Sequence, residues 1–75
     1  MTRTVIYHVR LDAYLVRTTP VSPDPRRVHF DVREIVPQWG DFEDALACVD
    51  RETARRQLYR LPARDWFFCT TVPVI

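Results

Sequence analysis

Glycine occurs once in the 75 residues, at Gly40, and lysine does not occur at all. A single glycine all but excludes a phosphate-cradling loop, which needs several backbone positions free of a Cβ. Gly-x-Ser-x-Gly and His-Glu-x-x-His patterns are also missing, so the common nucleophile-elbow and zinc-protease chemistries have no footing. The two cysteines, Cys48 and Cys69, form no Cys-x-x-Cys and no paired Cys/His spacing. Such thiols suit the interior of a cytoplasmic protein better than a disulfide framework, and they are too few for a structural zinc site. No apolar run approaches the about 20 residues of a membrane helix, and the N-terminal residues carry no apolar signal-peptide core. No repeat or low-complexity tract is present, and no cofactor is implied.

All 11 basic residues are arginine, set against 10 acidic ones for a net charge of +1. The bias fits a GC-rich genome, or selection for planar, bidentate contacts to carboxylate and phosphate. Near-balance gives no global argument for nucleic acid, because phosphate neutralisation dominates that kind of affinity. The hydrophobic share of 47% places the chain among globular proteins. Residues 1–75 are expected to form a single domain. A chain this short buries only roughly 60% of the surface it exposes when unfolded, so a second copy or another partner is a natural supplement.

The longest regular pattern runs from Thr4 to Arg17. Its odd positions, Val5, Tyr7, Val9, Leu11, Ala13 and Leu15, are apolar. Its even positions, Thr4, Ile6, His8, Arg10, Asp12, Tyr14 and Val16, are mixed. This alternation predicts one long half-buried strand, and the lack of Pro and Gly suits the centre of a sheet. Thr18 to Pro25, with three prolines, predicts a stiff surface loop. A second strand is expected over Arg26 to Val36, stopped by Pro37, with Gly40 in a turn of unusual dihedrals. Asp41 reads as the N-cap of a helix with acidic first and basic later turns. Phe42, Ala45, Leu46, Val49 and Thr53 form one apolar stripe of that helix, and Ala47, Ala54, Leu58 and Leu61 a second. The last strand is expected over Asp65 to Val74, at an edge because of Pro73.

Together these predict an α+β fold, β-β-α-β: a three-stranded antiparallel sheet in the order 2-1-3 with one helix on one face. The order 1-2-3 ranks second, because it leaves the best strand at an edge. On the uncovered face lie His8, Arg10, Asp12 and Tyr14, with Arg27, His29, Asp31 and Arg33 from the second strand. Such a set can be written as a ribonuclease built on His8, His29 and Arg33, or as a metal site of His8, His29 and Asp31. Ordinary cross-strand ion pairs account for it as well. The same face carries Ile6, Val16, Ile35, Phe67 and Ile75, which water should not tolerate in a cluster. An apolar patch rimmed by charge marks a contact surface. The candidate partner-binding residues are therefore Arg10, Tyr14, Arg33 and Phe67, with Tyr and Phe as anchors and Arg as carboxylate ligands.

Asp41 to Ala47, Asp-Phe-Glu-Asp-Ala-Leu-Ala, following two strands, resembles the strand–strand–helix plan of HicB-type antitoxin domains. The whole format of about 75 residues, β-β-α-β organisation and no catalytic motif also resembles small phage and mobile-element inhibitors of the anti-CRISPR kind. That resemblance implies a non-enzymatic, stoichiometric binder of a host effector complex. The other readings are a homodimer through the same face, or a small nucleic-acid-binding or antitoxin-like regulator.

Overall fold

The computed structural model describes residues 3–21 and 35–74. The long alternating segment is not one strand. It is a hairpin, β1 (Arg3–His8) and β2 (Ala13–Pro20), joined by a turn at Val9 to Asp12. Asp12 makes that turn with a φ of 49°, in the left-handed region that Asp tolerates better than most residues. Its carboxylate accepts the Tyr7 hydroxyl, and the Leu11 N–H donates to Nδ1 of His8 at 3.2 Å. Asp12→Ala is expected to lose about 1–2 kcal/mol through the backbone alone, and the tyrosine bond besides. Asp12→Gly loses only the bond, so it melts at the higher temperature of the two; equal melting temperatures would rule out a left-handed requirement.

The predicted three-stranded sheet in the order 2-1-3 is thus replaced by a four-stranded antiparallel sheet, β3-β2-β1-β4. β3 is Ile35–Gly40 and β4 is Cys69–Val74. Pro37 does not stop a strand but lies inside β3, and Thr18 to Pro20 belong to β2 rather than to a loop. The strands that carry Pro37 and Pro73 take the two edges of the described sheet, where a missing donor costs least. At Pro73 this can be followed in the bonding. Thr4 is opposite Pro73, yet Thr4 exchanges both of its backbone bonds with Cys48, at 3.1 and 2.8 Å. Thr4 and Pro73 are therefore a non-hydrogen-bonded pair, and the proline nitrogen points away from β1. Of the expected second strand, Arg26 to Val36, residues 26–34 lie outside the described residues, and Ile35 and Val36 open β3.

β1 and β2 pair only beside the turn, through Tyr7↔Tyr14 and His8↔Ala13. Beyond this the two strands part, and β2 carries a bulge between Leu15 and Arg17 in its ladder with β3. The opening is filled by chain from further on: Leu46 N–H donates to the Leu15 carbonyl at 2.8 Å, and Cys48 bridges Thr4. This use of Ala45 to Cys48 removes the start of the predicted helix. After Asp41 there is only a 3-10 turn, Phe42–Asp44, without a side-chain cap. The helix proper, α1, is Arg51–Tyr59, capped by Asp50, whose carboxylate accepts the Thr53 N–H at 2.7 Å. That bond holds the Asp50 carboxyl below its ordinary value. The cap's ionic contribution is therefore complete above about pH 3.9 and fades as pH falls through the lowered folded value. Helical circular dichroism is expected to fall with acid in that window in the wild type and less in Asp50→Asn, which caps without a charge.

Of the two apolar stripes, the second is the one buried, but only from Ala54 on; its first member, Ala47, is exposed. Ala54, with no exposure, and Leu61 join Ile6, Leu15, Ile35 and Cys48 in one core, with Trp39, Leu58 and Cys69 packed against it. Phe42, Leu46 and Val49 from the first stripe stay exposed. Pro62 leads into a short helix, α2 (Ala63–Trp66), so Asp65 to Phe68 precede β4 instead of opening it. Gly40 has an ordinary φ; what it supplies is space, since a Cβ there would lie 3.1 Å from Cγ1 of Val16.

The faces are exchanged relative to expectation on the first arm. Thr4, Ile6 and His8 face α1 and the core, whereas Val5 and Tyr7 face the other side. Ile6 and Ile35, expected on an exposed patch, are each only 1% exposed. The face away from α1 still holds Tyr7, Tyr14, Val16 and Val72, with the two tyrosine rings stacked at 5.0 Å. No helix among the described residues is long and apolar enough to cross a membrane.

Candidate functional site

Beyond the last β1–β4 pair, His8↔Cys69, the ladder continues by one bond: Val9 N–H donates to the Phe68 carbonyl at 2.8 Å. This fixes the hairpin turn beside the link between α2 and β4. The end of the molecule so formed is apolar and exposed. Phe67 is 74% exposed, Val9 62% and Leu11 54%, with Tyr59 and Phe68 also exposed nearby in the same run of contacts. The Trp66 ring joins Phe67 edge-on at 4.9 Å to Tyr59 at 5.8 Å. The Arg10 guanidinium lies over Phe68, 5.0 Å from its centroid. Exposed apolar groups gathered at one end and edged by arginine have the composition of a protein-contact hot spot.

His8 holds this end from beneath. The imidazole is 3% exposed, stacked on Phe68 at 5.9 Å and met edge-on by Trp39 at 5.0 Å. Because Nδ1 accepts the Leu11 N–H, the ring hydrogen belongs on Nε2, which faces the Asp65 carboxylate at 3.6 Å. Both ring nitrogens are therefore committed inside the protein. His8 ties the turn, β4 and α2 together; it does not present a base to solvent.

Cys69 stands across the ladder from His8 with Asp65 close by, which invites comparison with a thiol–imidazole–carboxylate triad. The thiol itself argues against this. Burial, with Asp65 second, pushes it up to about 11, and a nucleophile must be a thiolate. Burial also raises the Cys48 thiol. Both cysteines are expected to alkylate far more slowly than a free thiol at pH 8 until denaturant is added. Rapid labelling of Cys69 in the folded protein would overturn this picture. Among the described residues no three His, Cys, Asp or Glu side chains gather as a metal site.

Of the residues singled out from sequence, Arg10 and Phe67 both lie at this end, Arg10 over Phe68 and Phe67 against Trp66. Tyr14 does not: it lies on the opposite face of the sheet, stacked on Tyr7 and met edge-on by Phe42 at 5.2 Å. Arg33 lies outside the described residues, as do Arg27, His29, Asp31 and Ile75. The metal set and the ribonuclease set thus keep only His8, and His8 is enclosed. Val9 and Leu11 escaped notice because they continue an apolar alternation that seemed to belong to a buried strand. The one signal available was Asp12, a turn-forming residue in the middle of a segment too long for an ordinary strand. No protein-family model, no curated protein and no solved structure matches this chain.

Proposed function

We propose that the protein is a small non-enzymatic binding module that takes a protein partner on the end formed by Val9 to Asp12 and Trp66 to Phe68. The observation that carries this is the exposure of Phe67, Val9 and Leu11 on backbone held by the Val9–Phe68 and Leu11–His8 bonds. A preorganised apolar surface loses little conformational entropy when it is covered. A protein partner suits it better than nucleic acid. Its aromatic rings could stack bases, but the net charge of +1 supplies little of the phosphate neutralisation that such binding depends on. The mode we assign is stoichiometric: an 8.9 kDa chain that acts by covering a surface of a host effector complex. Two unbridged thiols suit the cytoplasm.

A photo-crosslinking side chain at position 67 is expected to yield one protein adduct of fixed stoichiometry from the native host. The same group at Gln38, exposed on the far edge strand, is expected to yield none. Equal adducts from both positions, or adducts to nucleic acid alone, would overturn the reading.

A further inference from the structure

We propose that this same end also receives a second copy of the chain, head to tail, through the acidic corner Asp41 to Leu46 of the neighbour. The inference rests on reading the end as a protein-contact surface, and it follows from which charged groups already have a partner. Asp12, Asp65, Asp50 and Glu52 each have one within the chain, Glu52 alone an arginine. Asp12 accepts Tyr7, Asp65 faces His8, Asp50 caps α1, and Glu52 binds Arg56 at 2.8 Å. The arginines beside them are not so paired. Arg51, Arg55 and Arg64 are exposed and form no ion pair among the described residues. Arg51, Arg55 and Tyr59 succeed one another at four-residue spacing, making one row on α1 with steps of about 6 Å. Tyr59 then leads through Trp66 to Phe67. The result is a strip that is basic at one end and aromatic at the other.

The complementary strip lies on the same chain. Asp41, Glu43 and Asp44 are exposed and have no ion pair among the described residues, and Phe42 and Leu46 beside them are exposed apolar groups. Acid and apolar residues there match base and aromatic residues on the other strip. Within one molecule the two lie on different sides of the sheet. Phe42 packs edge-on against Tyr14, on the sheet face turned away from α1, whereas the arginine row is on α1 itself. A contact between two different strips is heterologous, so it builds a ring or an open chain and not a two-fold dimer. Such assembly covers the apolar end until a foreign partner displaces the neighbouring copy.

Sedimentation of the full chain tests this. The wild type is expected to show concentration-dependent assembly at low salt, with the dissociation constant rising roughly tenfold at high salt as the exposed charges are screened. D41R/E43R/D44R and R51E/R55E/R64E, each with wild-type circular dichroism, are expected to sediment as monomers alone. An equimolar mixture of the two regains assembly, because each variant then meets the opposite charge. A wild type that stays monomeric at low salt, or a mixture no larger than its folded components, overturns the proposal. Cross-linking of a foreign partner from position 67 proceeds in either case. Loss of that adduct therefore counts against the binding function, and loss of assembly counts only against the self-contact.

Discussion

Ile6→Ala lowers the stability of the fold by about 2–5 kcal/mol, the range for truncating a fully buried aliphatic side chain. Ile6 is 1% exposed and sits where β1 and β2 part, between the strands and α1. At roughly 0.05–0.15 kcal/mol per residue, the whole domain holds on the order of 4–11 kcal/mol, so one such cavity removes a large share. A melting temperature lower by at least about 10 °C is expected, from the roughly 4–8 °C per kcal/mol of a domain this size. Ile6→Val, which removes one methyl, is expected to cost about 0.5–1.5 kcal/mol. Val49→Ala, on the abandoned apolar stripe and 79% exposed, is expected to cost almost nothing. Had the even positions of β1 faced solvent, Ile6→Ala would be as silent as Val49→Ala. Thermal unfolding of the three variants therefore decides whether the face of β1 that carries Ile6 is inside.

Phe67→Ala weakens partner binding by about thirtyfold or more, the loss typical of a desolvated aromatic anchor of at least about 2 kcal/mol, and leaves the melting temperature unchanged. The second half follows from its exposure: its ring touches Trp66 and little else, and surface truncations of this kind stay within about 0.5 kcal/mol. Arg10→Ala has a smaller effect, because its cation–π contact with Phe68 is worth about 0.5–1 kcal/mol at an exposed site. Tyr14→Ala behaves in the opposite way. From sequence alone it belongs with Phe67 and should spare the fold. In the structure it loses ring contacts with Tyr7 and Phe42, each worth about 0.5–1.5 kcal/mol, so it costs stability first. Isothermal titration and thermal melts on the same variants separate the two kinds of residue.

The difference between Phe67 and Tyr14 shows how far residues alone could carry the reading. The α+β class followed from two periodicities that survive in the structure: alternation in the strands, and the Ala54 and Leu58 stripe of α1, which Leu61 continues just past its end. The edge position of Pro73 followed from a missing N–H. The hairpin did not follow, because nothing in its pattern breaks. His8 pairs with Ala13 and Tyr7 with Tyr14, so even positions of the first arm share a face with odd positions of the second. Val9 and Leu11 keep the apolar alternation running through the turn while standing in solvent. Once that turn is hidden, face assignments fail on the first arm, and Ile6 and His8 exchange places with Val5 and Tyr7. The N-terminal limit of α1 was hidden for a different reason. Asp41 and Asp50 are both good caps, and the choice between them is tertiary: Ala45 to Cys48 are needed beside Leu15 and Thr4. Phe67 was legible because an aromatic residue in a region apolar on both sides has no second core to enter.

The most direct test of where the protein makes its contact is to follow its backbone amide resonances while the cross-linked partner, once isolated, is titrated in. Shifts and broadening concentrated on Val9 to Asp12 and on Trp66 to Cys69 are the expected result. Changes confined to Tyr7, Tyr14, Val36 and Val72, with the turn and Phe67 undisturbed, would move the contact to the sheet face and contradict the assignment.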